Sequence, residues 1–204
     1  MARKTAGGTK GGGTILRTFR IPRGLDEVIA ADAKKEGKNN TDLLVSILTR
    51  YVGFDRYAEK FGFITLNRRT FQALVDAIPV EKLREIARSQ AGGMEDLMQF
   101  WFKKSDAEAV LGAIDIFSKY LRGFEYTTSM SSGDVVVVMK SELGMNATIF
   151  AAAYWEEATS RALGVAPKVE TRGSTVILRF PMRPNGIPEA GQGFKEANPV
   201  KQGT

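Results

Sequence analysis

Apolar and polar residues alternate near the start of the chain and then take up helical spacing. Residues 14–22 are rich in β-branched and aromatic side chains and alternate from Thr18 onward, which predicts a β-strand that Pro22 ends. Residues 24–36 carry one apolar stripe and predict a first helix, with Gly37 suited to its C-terminal cap.

A second helix is predicted to begin at Asn39 and to end at Gly53. Asn39 is a favoured N-cap residue, and Asp42 follows it by three positions in a capping-box arrangement. The apolar positions of the two predicted helices are Leu25, Val28, Ile29, Ala33, Leu43, Leu44, Ile47, Leu48 and Tyr51.

The strand and two helices predicted within residues 14–53 are too short to enclose a core in one chain. The single strand also leaves both of its edges without a partner. Both problems are solved if two chains pair their strands antiparallel and interlock their helices. The sequence therefore predicts a homodimer on grounds that do not depend on likeness to any family.

Helical periodicity returns in the second part of the chain and is followed by strand alternation. Helices are expected at about residues 67–78, 80–90, 95–103 and 106–122. Two strands (124–130 and 134–141), a helix (146–163) and two further strands (168–171 and 174–180) follow. The expected fold class is α+β, in which the N-terminal module precedes helices and a ββαββ antiparallel sheet.

Composition divides the chain into four parts. Residues 1–13 are Gly-rich, with three basic residues and no acidic one, and predict a disordered basic arm. Residues 14–53 form the small module, and residues 61–180 form an α+β domain expected to sense an effector or to oligomerise. Residues 181–204 hold four of the seven prolines and four glycines, and predict a flexible tail.

The net charge of +6 is concentrated at one end of the chain. Residues 1–52 contain ten Lys or Arg against five Asp or Glu, whereas residues 53–180 contain sixteen of each. Phosphate contacts supply most of the non-specific affinity of proteins for nucleic acids, so this asymmetry indicates either a polyanionic partner or a solvated basic tail without a role.

The chain contains neither cysteine nor histidine. Disulfides, thiol nucleophiles and Cys/His zinc sites are thereby excluded, as is the commonest general base. We expect no enzymatic activity, no cofactor and no metal site. No apolar run approaches the roughly 20 residues of a membrane helix, and we expect a cytoplasmic, nucleoid-associated protein without membrane contact.

Three consecutive parts of the chain together resemble the ribbon-helix-helix family of DNA-binding proteins. They are residues 18–22, the apolar stripe from Leu25 to Ala33, and the turn 37–44. The resemblance covers about residues 14–52, a quarter of the chain. It implies a dimer whose two-stranded ribbon lies in the major groove of double-stranded DNA. The implied function is sequence-specific transcriptional regulation, chiefly repression, with activation and higher oligomers on DNA left open.

The resemblance also implies which residues read bases. Phe19 and Ile21 take the inward positions of the ribbon, and Leu16, Thr18 and Arg20 share the outward face. Arg20 is suited to guanine O6 and N7, and Thr18 to a hydrogen bond or a thymine methyl. Leu16 is suited to a thymine methyl or to packing against its dimer mate.

The resemblance implies contacts with the DNA backbone at three further places. Arg17 lies near the start of the strand, where its side chain can reach a phosphate. The amides at the start of the second helix suit a phosphate, whereas the nearby Asp42 opposes one. These amides belong to Asn39, Asn40 and Thr41, with Lys38 adjacent. The basic residues of the arm are Arg3, Lys4 and Lys10. Three roles stay open for them: they follow the DNA backbone, they enter a minor groove, or they have no role.

Two other functions stay open at this point. One is an antitoxin that regulates its own synthesis, although toxin-binding segments of that kind are usually short and disordered, unlike residues 61–180. The other is an architectural DNA-binding protein without sequence preference. The domain 61–180 is also the expected site of a small-molecule or protein effector. Its main aromatic and Met clusters are predicted to be core: Met98, Phe100, Trp101, Phe102, Phe150, Tyr154 and Trp155.

Overall fold

The computed structural model describes residues 15–182, and the chain divides into two compact units between Thr49 and Arg50. The predicted basic arm 1–13 lies outside the described residues, as does all but the start of the predicted tail 181–204. The tail prediction is wrong at its first residue, because Pro181 is the last residue of a strand and lies opposite Asp134.

Two helices form the first unit: α1 spans Arg23–Lys35, and α2, which reaches the boundary of the unit, spans Asn40–Arg50. The chain leaves α1 through Gly37, whose φ of 66° is the left-handed value predicted for this cap. The amide of Gly37 donates to the carbonyl of Lys34 at 3.2 Å, and the amide of Lys38 donates to that of Ala33 at 2.9 Å. This pair of bonds satisfies carbonyls that the helix end would otherwise leave free.

The segment 15–22 has no regular secondary structure in the single chain, so the strand predicted for residues 14–22 does not form there. A strand requires a neighbour to share its backbone hydrogen bonds, and all the strands of the described residues lie in the second unit and pair with one another. Ile21 packs on the small core as predicted. Phe19, also predicted to point inward, is 63 % exposed in the single chain because nothing there covers it.

The prediction that Gly53 ends the second helix is wrong. A π-helical turn, Tyr51–Asp55, continues from α2, and a short helix α3, Arg56–Ala58, follows it. A Cβ atom on Gly53 would lie 3.1 Å from the hydroxyl oxygen of Tyr120. The glycine therefore permits the close approach of this tyrosine and has no role in ending the helix.

The helices of the second unit follow the predicted order. The N-caps of α4 (Arg68–Asp76) and α7 (Ala107–Ile116) are supplied by side chains: Asn67 accepts from the amide of Arg69, and Asp106 from that of Ala109, both at 2.9 Å. A π-helical turn at Phe117–Leu121 then leads to the sheet. The four helices are α4 (Arg68–Asp76), α5 (Val80–Ala91), α6 (Gly93–Phe102) and α7 (Ala107–Ile116).

A four-stranded antiparallel sheet completes the second unit among the described residues. Its strands are β1 (Glu125–Ser131), β2 (Asp134–Lys140), β3 (Lys168–Arg172) and β4 (Thr175–Pro181), with α8 (Met145–Leu163) between β2 and β3. Their order in the sheet is β1-β2-β4-β3. Ser132 and Gly133 both have positive φ at the predicted turn between β1 and β2. The α+β class and the ββαββ order are thereby confirmed.

The core of the second unit lies between one face of this sheet and the helices. Val135, Val137 and Met139 alternate with half-buried or exposed neighbours along β2, and the adjacent β4 buries Val176 and Leu178 on the same face. Removing such side chains from water stabilises a fold by roughly 1.5–3 kcal/mol each, so this face fixes the register of the sheet. No helix within residues 15–182 combines the length and apolar character needed to cross a membrane.

Candidate nucleic-acid interface

The first unit has a very small core. Ile29, Ala33 and Leu43 are buried, and Ile21 and Leu44 pack against them. More large apolar side chains are exposed in this unit than are buried. The exposed side chains are those of Ile15, Leu16, Phe19, Leu25, Val28, Val45, Ile47 and Leu48. Such an apolar surface is characteristic of an interface that a partner covers.

The three residues predicted to contact bases lie on the segment 15–22. Leu16 is 87 % exposed, and Thr18 and Arg20 are also exposed. Arg17, predicted to contact the DNA backbone, is exposed beside them. Among the described residues, neither Arg17 nor Arg20 has an ion-pair partner, which leaves both guanidinium groups free for an anion.

The charges of the helical part of the first unit are largely balanced. Residues 23–49 contain four Lys or Arg against five Asp or Glu. Arg23 pairs with Glu27 at 2.9 Å, and Lys35 pairs with Asp32 at 3.1 Å. The segment 15–22 contains two arginines and no acidic residue. Its local excess of positive charge therefore coincides with the residues predicted to contact DNA.

The start of α2 combines features that attract a phosphate with features that oppose one. The side-chain oxygen of Asn39 accepts a hydrogen bond from the amide of Asp42, as the predicted N-cap requires. The exposed amides of Asn40 and Thr41 belong to the first turn, where no intrahelical acceptor exists. Lys38 has its ammonium group 2.7 Å from Glu36, and its charge is therefore partly neutralised.

A feature that the sequence did not reveal is a cavity of about 1090 Å³ in the second unit. Phe150 and Tyr154, predicted as core, line this cavity and are half-buried, whereas their neighbour Trp155 is buried as predicted. Burial raises the pKa of Tyr154 to about 12. The cavity draws its walls from segments far apart in the sequence, and spacing along the chain gives no signal of their convergence.

No cluster of three or more Asp, Glu, His or Cys side chains suited to a metal ion occurs within residues 15–182. The predicted contacts of Arg3, Lys4 and Lys10 lie outside the described residues. No model of a known protein family matches the sequence, and no curated protein is significantly similar to it.

Proposed function

We propose that the chain is a sequence-specific DNA-binding transcriptional regulator that acts as a homodimer. In this proposal the segments 15–22 of two chains pair antiparallel and enter the major groove of double-stranded DNA as a β-ribbon. The observation that carries the proposal is the incomplete first unit. Among its described residues it buries Ile29, Ala33 and Leu43, while large apolar side chains and the segment 15–22, which has no regular secondary structure, remain at its surface.

A second copy of the chain supplies what the first unit lacks. Antiparallel pairing of two segments satisfies their backbone groups, since each strand offers the donors and acceptors that the other needs. The same association covers exposed side chains such as Phe19 and Val28, with a gain of about 25 cal/mol for each Å² of apolar surface removed from water. Such an interface uses the same patch on both chains, as two-fold dimers do.

The polar residues of the segment 15–22 are the reason for proposing DNA as the partner. In a paired ribbon Thr18 and Arg20 lie on the same outward face, since side chains two apart share one face of a strand. The major groove is wide enough for a two-stranded ribbon, and arginine binds guanine through two hydrogen bonds. Arg17 and the amides of Asn40 and Thr41 serve as backbone contacts that hold the register.

The structure of the second unit favours a regulator over an antitoxin. Its buried residues form a continuous core across the sheet and the helices, whereas a toxin-binding segment is expected to be short and disordered. Repression follows if the dimer occupies a promoter. An architectural DNA-binding protein differs from this proposal in one measurable respect, because its affinity would not depend on base sequence.

Selection of binding sites from a random DNA pool, followed by anisotropy titrations at fixed salt, tests the proposal. We expect an enriched near-palindromic sequence. Arg20→Ala should weaken binding to it by about 5- to 150-fold, the equivalent of about 1–3 kcal/mol, and should relax the base preference. Arg172→Ala, which removes an exposed arginine of the second unit, is the control and should bind like the wild type. Unchanged selectivity of Arg20→Ala would show that the ribbon assignment is wrong.

A further inference from the structure

The cavity of the second unit is large for its surroundings. Its volume of about 1090 Å³ slightly exceeds the range of small-molecule sites, which is roughly 300–1,000 Å³. The cavity is partly open to solvent, and Ile64 and Leu66 in its lining are exposed. All the residues that line it lie between Arg50 and Trp155, so the site belongs to this unit alone.

Aromatic rings form a connected wall of this cavity. Trp155 makes edge-to-face contacts with Phe117 at 5.7 Å and with Tyr154 at 5.6 Å between ring centroids. Phe124 approaches the same tryptophan at 6.3 Å, and Phe150 stacks on Tyr154 at 6.1 Å. These mutual contacts hold the rings in place and present an apolar surface that suits an aromatic or aliphatic body.

One hydroxyl group in this wall is available to a ligand. Tyr154 contacts its neighbours through its ring, and within residues 15–182 its hydroxyl has no hydrogen-bond partner. Tyr154 is half-buried and lines the cavity, and its hydroxyl is not among the buried side-chain atoms without a partner in residues 15–182, so it is accessible from the cavity. The Tyr154 hydroxyl is therefore suited to donate to a polar group of a bound molecule.

A smaller, polar cleft of about 360 Å³ adjoins the aromatic cavity. Four basic residues line it, against the two acidic residues Glu125 and Glu142. Arg68 is engaged by Glu142 at 3.0 Å, whereas Arg122 has no ion-pair partner among the described residues. The four basic residues are Arg68, Lys119, Arg122 and Lys140. Arg122 lines both the cleft and the cavity, so it lies at the boundary between the polar cleft and the aromatic cavity.

Arg122 occupies a backbone conformation that favours glycine. Its φ is 53°, and its amide donates to the carbonyl of Ser118 at 3.2 Å to cap the π-helical turn. A non-glycine residue in the left-handed region is strained, and helix ends of this kind usually carry glycine. Lys103 has the same conformation at a helix end without lining the cavity, so the case for Arg122 rests on its place in the lining of both the cavity and the cleft.

We propose that the second unit binds a small organic monoanion, whose apolar body fills the aromatic cavity and whose anionic group is bound by Arg122 at the entrance to the basic cleft. The Tyr154 hydroxyl donates a second hydrogen bond to the same molecule. This site is independent of the first unit, and binding to it is measured without DNA, so its failure would leave the DNA-binding proposal untouched.

A matched pair of fluorescent probes tests both parts of the site on the full chain. 1-Pyrenebutyrate carries an aromatic body and a carboxylate, and 1-pyrenebutanol carries the same body without charge. We expect one pyrenebutyrate per chain in fluorescence and calorimetric titrations, bound about tenfold more tightly than the alcohol because a charge-assisted hydrogen bond is added. Equal affinity of the two probes, or no saturable binding of either, would overturn the proposal.

Three variants locate the bound probe. Arg122→Gly removes the guanidinium group and relieves the backbone strain, and it should reduce pyrenebutyrate affinity about tenfold with little effect on pyrenebutanol. Lys103→Gly is its control, because Lys103 also has a positive φ of 58° at a helix end but does not line the cavity. Ala151→Phe fills the cavity and should abolish binding of both probes.

Thermal melts of each variant show that it is folded before its affinity is interpreted. If Arg122→Gly bound pyrenebutyrate like the wild type, the anion would not be held by Arg122. If folded Ala151→Phe bound both probes unchanged, the apolar body would lie outside the cavity, for example on the exposed apolar residues of the first unit. Either result would overturn the assignment.

Discussion

Asn39 and Asp42 bond to each other twice. The side-chain oxygen of Asn39 accepts from the amide of Asp42 at 2.8 Å, and its side-chain nitrogen donates to the carboxylate of Asp42 at 2.7 Å. Helix α2 therefore starts at a defined residue. The same pair also fixes a negative charge next to the amides of Asn40 and Thr41, the proposed phosphate contacts.

Replacement of Asp42 by Asn should strengthen DNA binding. The variant removes a negative charge near the proposed phosphate position and keeps a side-chain oxygen able to accept from Asn39. A charge at a helix terminus contributes about 0.3–1 kcal/mol, so we expect an increase of about two- to fivefold in affinity at low salt. Asp76→Asn, an exposed residue at the end of α4, is the control. An affinity for DNA no higher than that of the wild type would contradict a phosphate contact at this helix start.

A charge placed on the exposed apolar residues of the first unit should prevent dimer formation. Val28 is 57 % exposed in the single chain and belongs to the apolar stripe of α1. Val28→Lys would bury an unpaired ammonium group in the proposed interface, at a high cost in free energy. Sedimentation equilibrium should give about twice the chain mass of 22.4 kDa for the wild type and the monomer mass for the variant. Val165→Lys, in the second unit, should stay dimeric.

Gly112 is the helical glycine whose replacement should be most damaging. A Cβ atom there would lie 2.5 Å from the Phe102 ring, too close for any real contact. Forcing the ring aside should lower the free energy of unfolding by about 1–3 kcal/mol for Gly112→Ala, measured by urea denaturation. Gly93→Ala is the matched control, since nothing lies within 4 Å of its added Cβ atom. Equal stability of the two variants would show that Phe102 moves aside freely.

Stability should decline at alkaline pH because two tyrosines resist ionisation in the folded state. Burial raises the pKa of Tyr154 to about 12, and burial together with its hydrogen bond to Asp115 at 2.9 Å raises the pKa of Tyr126. An unfolded tyrosine has a pKa of about 10. The unfolded chain therefore loses its tyrosine protons first, and the stability present below pH 10 is lost as the pH rises through the folded pKa values.

The contribution of Tyr154 is measured with Tyr154→Phe, which cannot ionise. Between pH 8 and pH 11 the wild type should lose about 1 kcal/mol more of its free energy of unfolding than this variant, as measured by urea denaturation. Equal losses in the two proteins would contradict the raised pKa of Tyr154.

The sequence was sufficient to predict the elements whose signals are local. The turn at Ser132 and Gly133, the cap at Gly37 and the apolar periodicity of α8 each depend on residues close together in the chain, and the structure has all three. The ending predicted at Gly53 failed for a non-local reason, because the role of that glycine is to accommodate Tyr120, 67 positions further along the chain.

The candidate sites depend still more on distant residues. The segment 15–22 has the alternation of a strand, but a strand also needs a partner, and the single chain offers none to this segment. Phe63, Phe124 and Phe150 all line the cavity, and no local spacing relates these three residues. In both cases the residue types are visible in the sequence, whereas their association is decided by packing.

The number of chains bound to one selected DNA duplex shows whether the protein binds DNA as a paired dimer. Native mass spectrometry of the full chain with its enriched site counts them without assumptions about shape. We expect two chains per site, or a multiple of two, with no complex of a single chain on the duplex at saturation. A saturated complex with one chain per duplex would contradict the paired ribbon on which the proposed function rests.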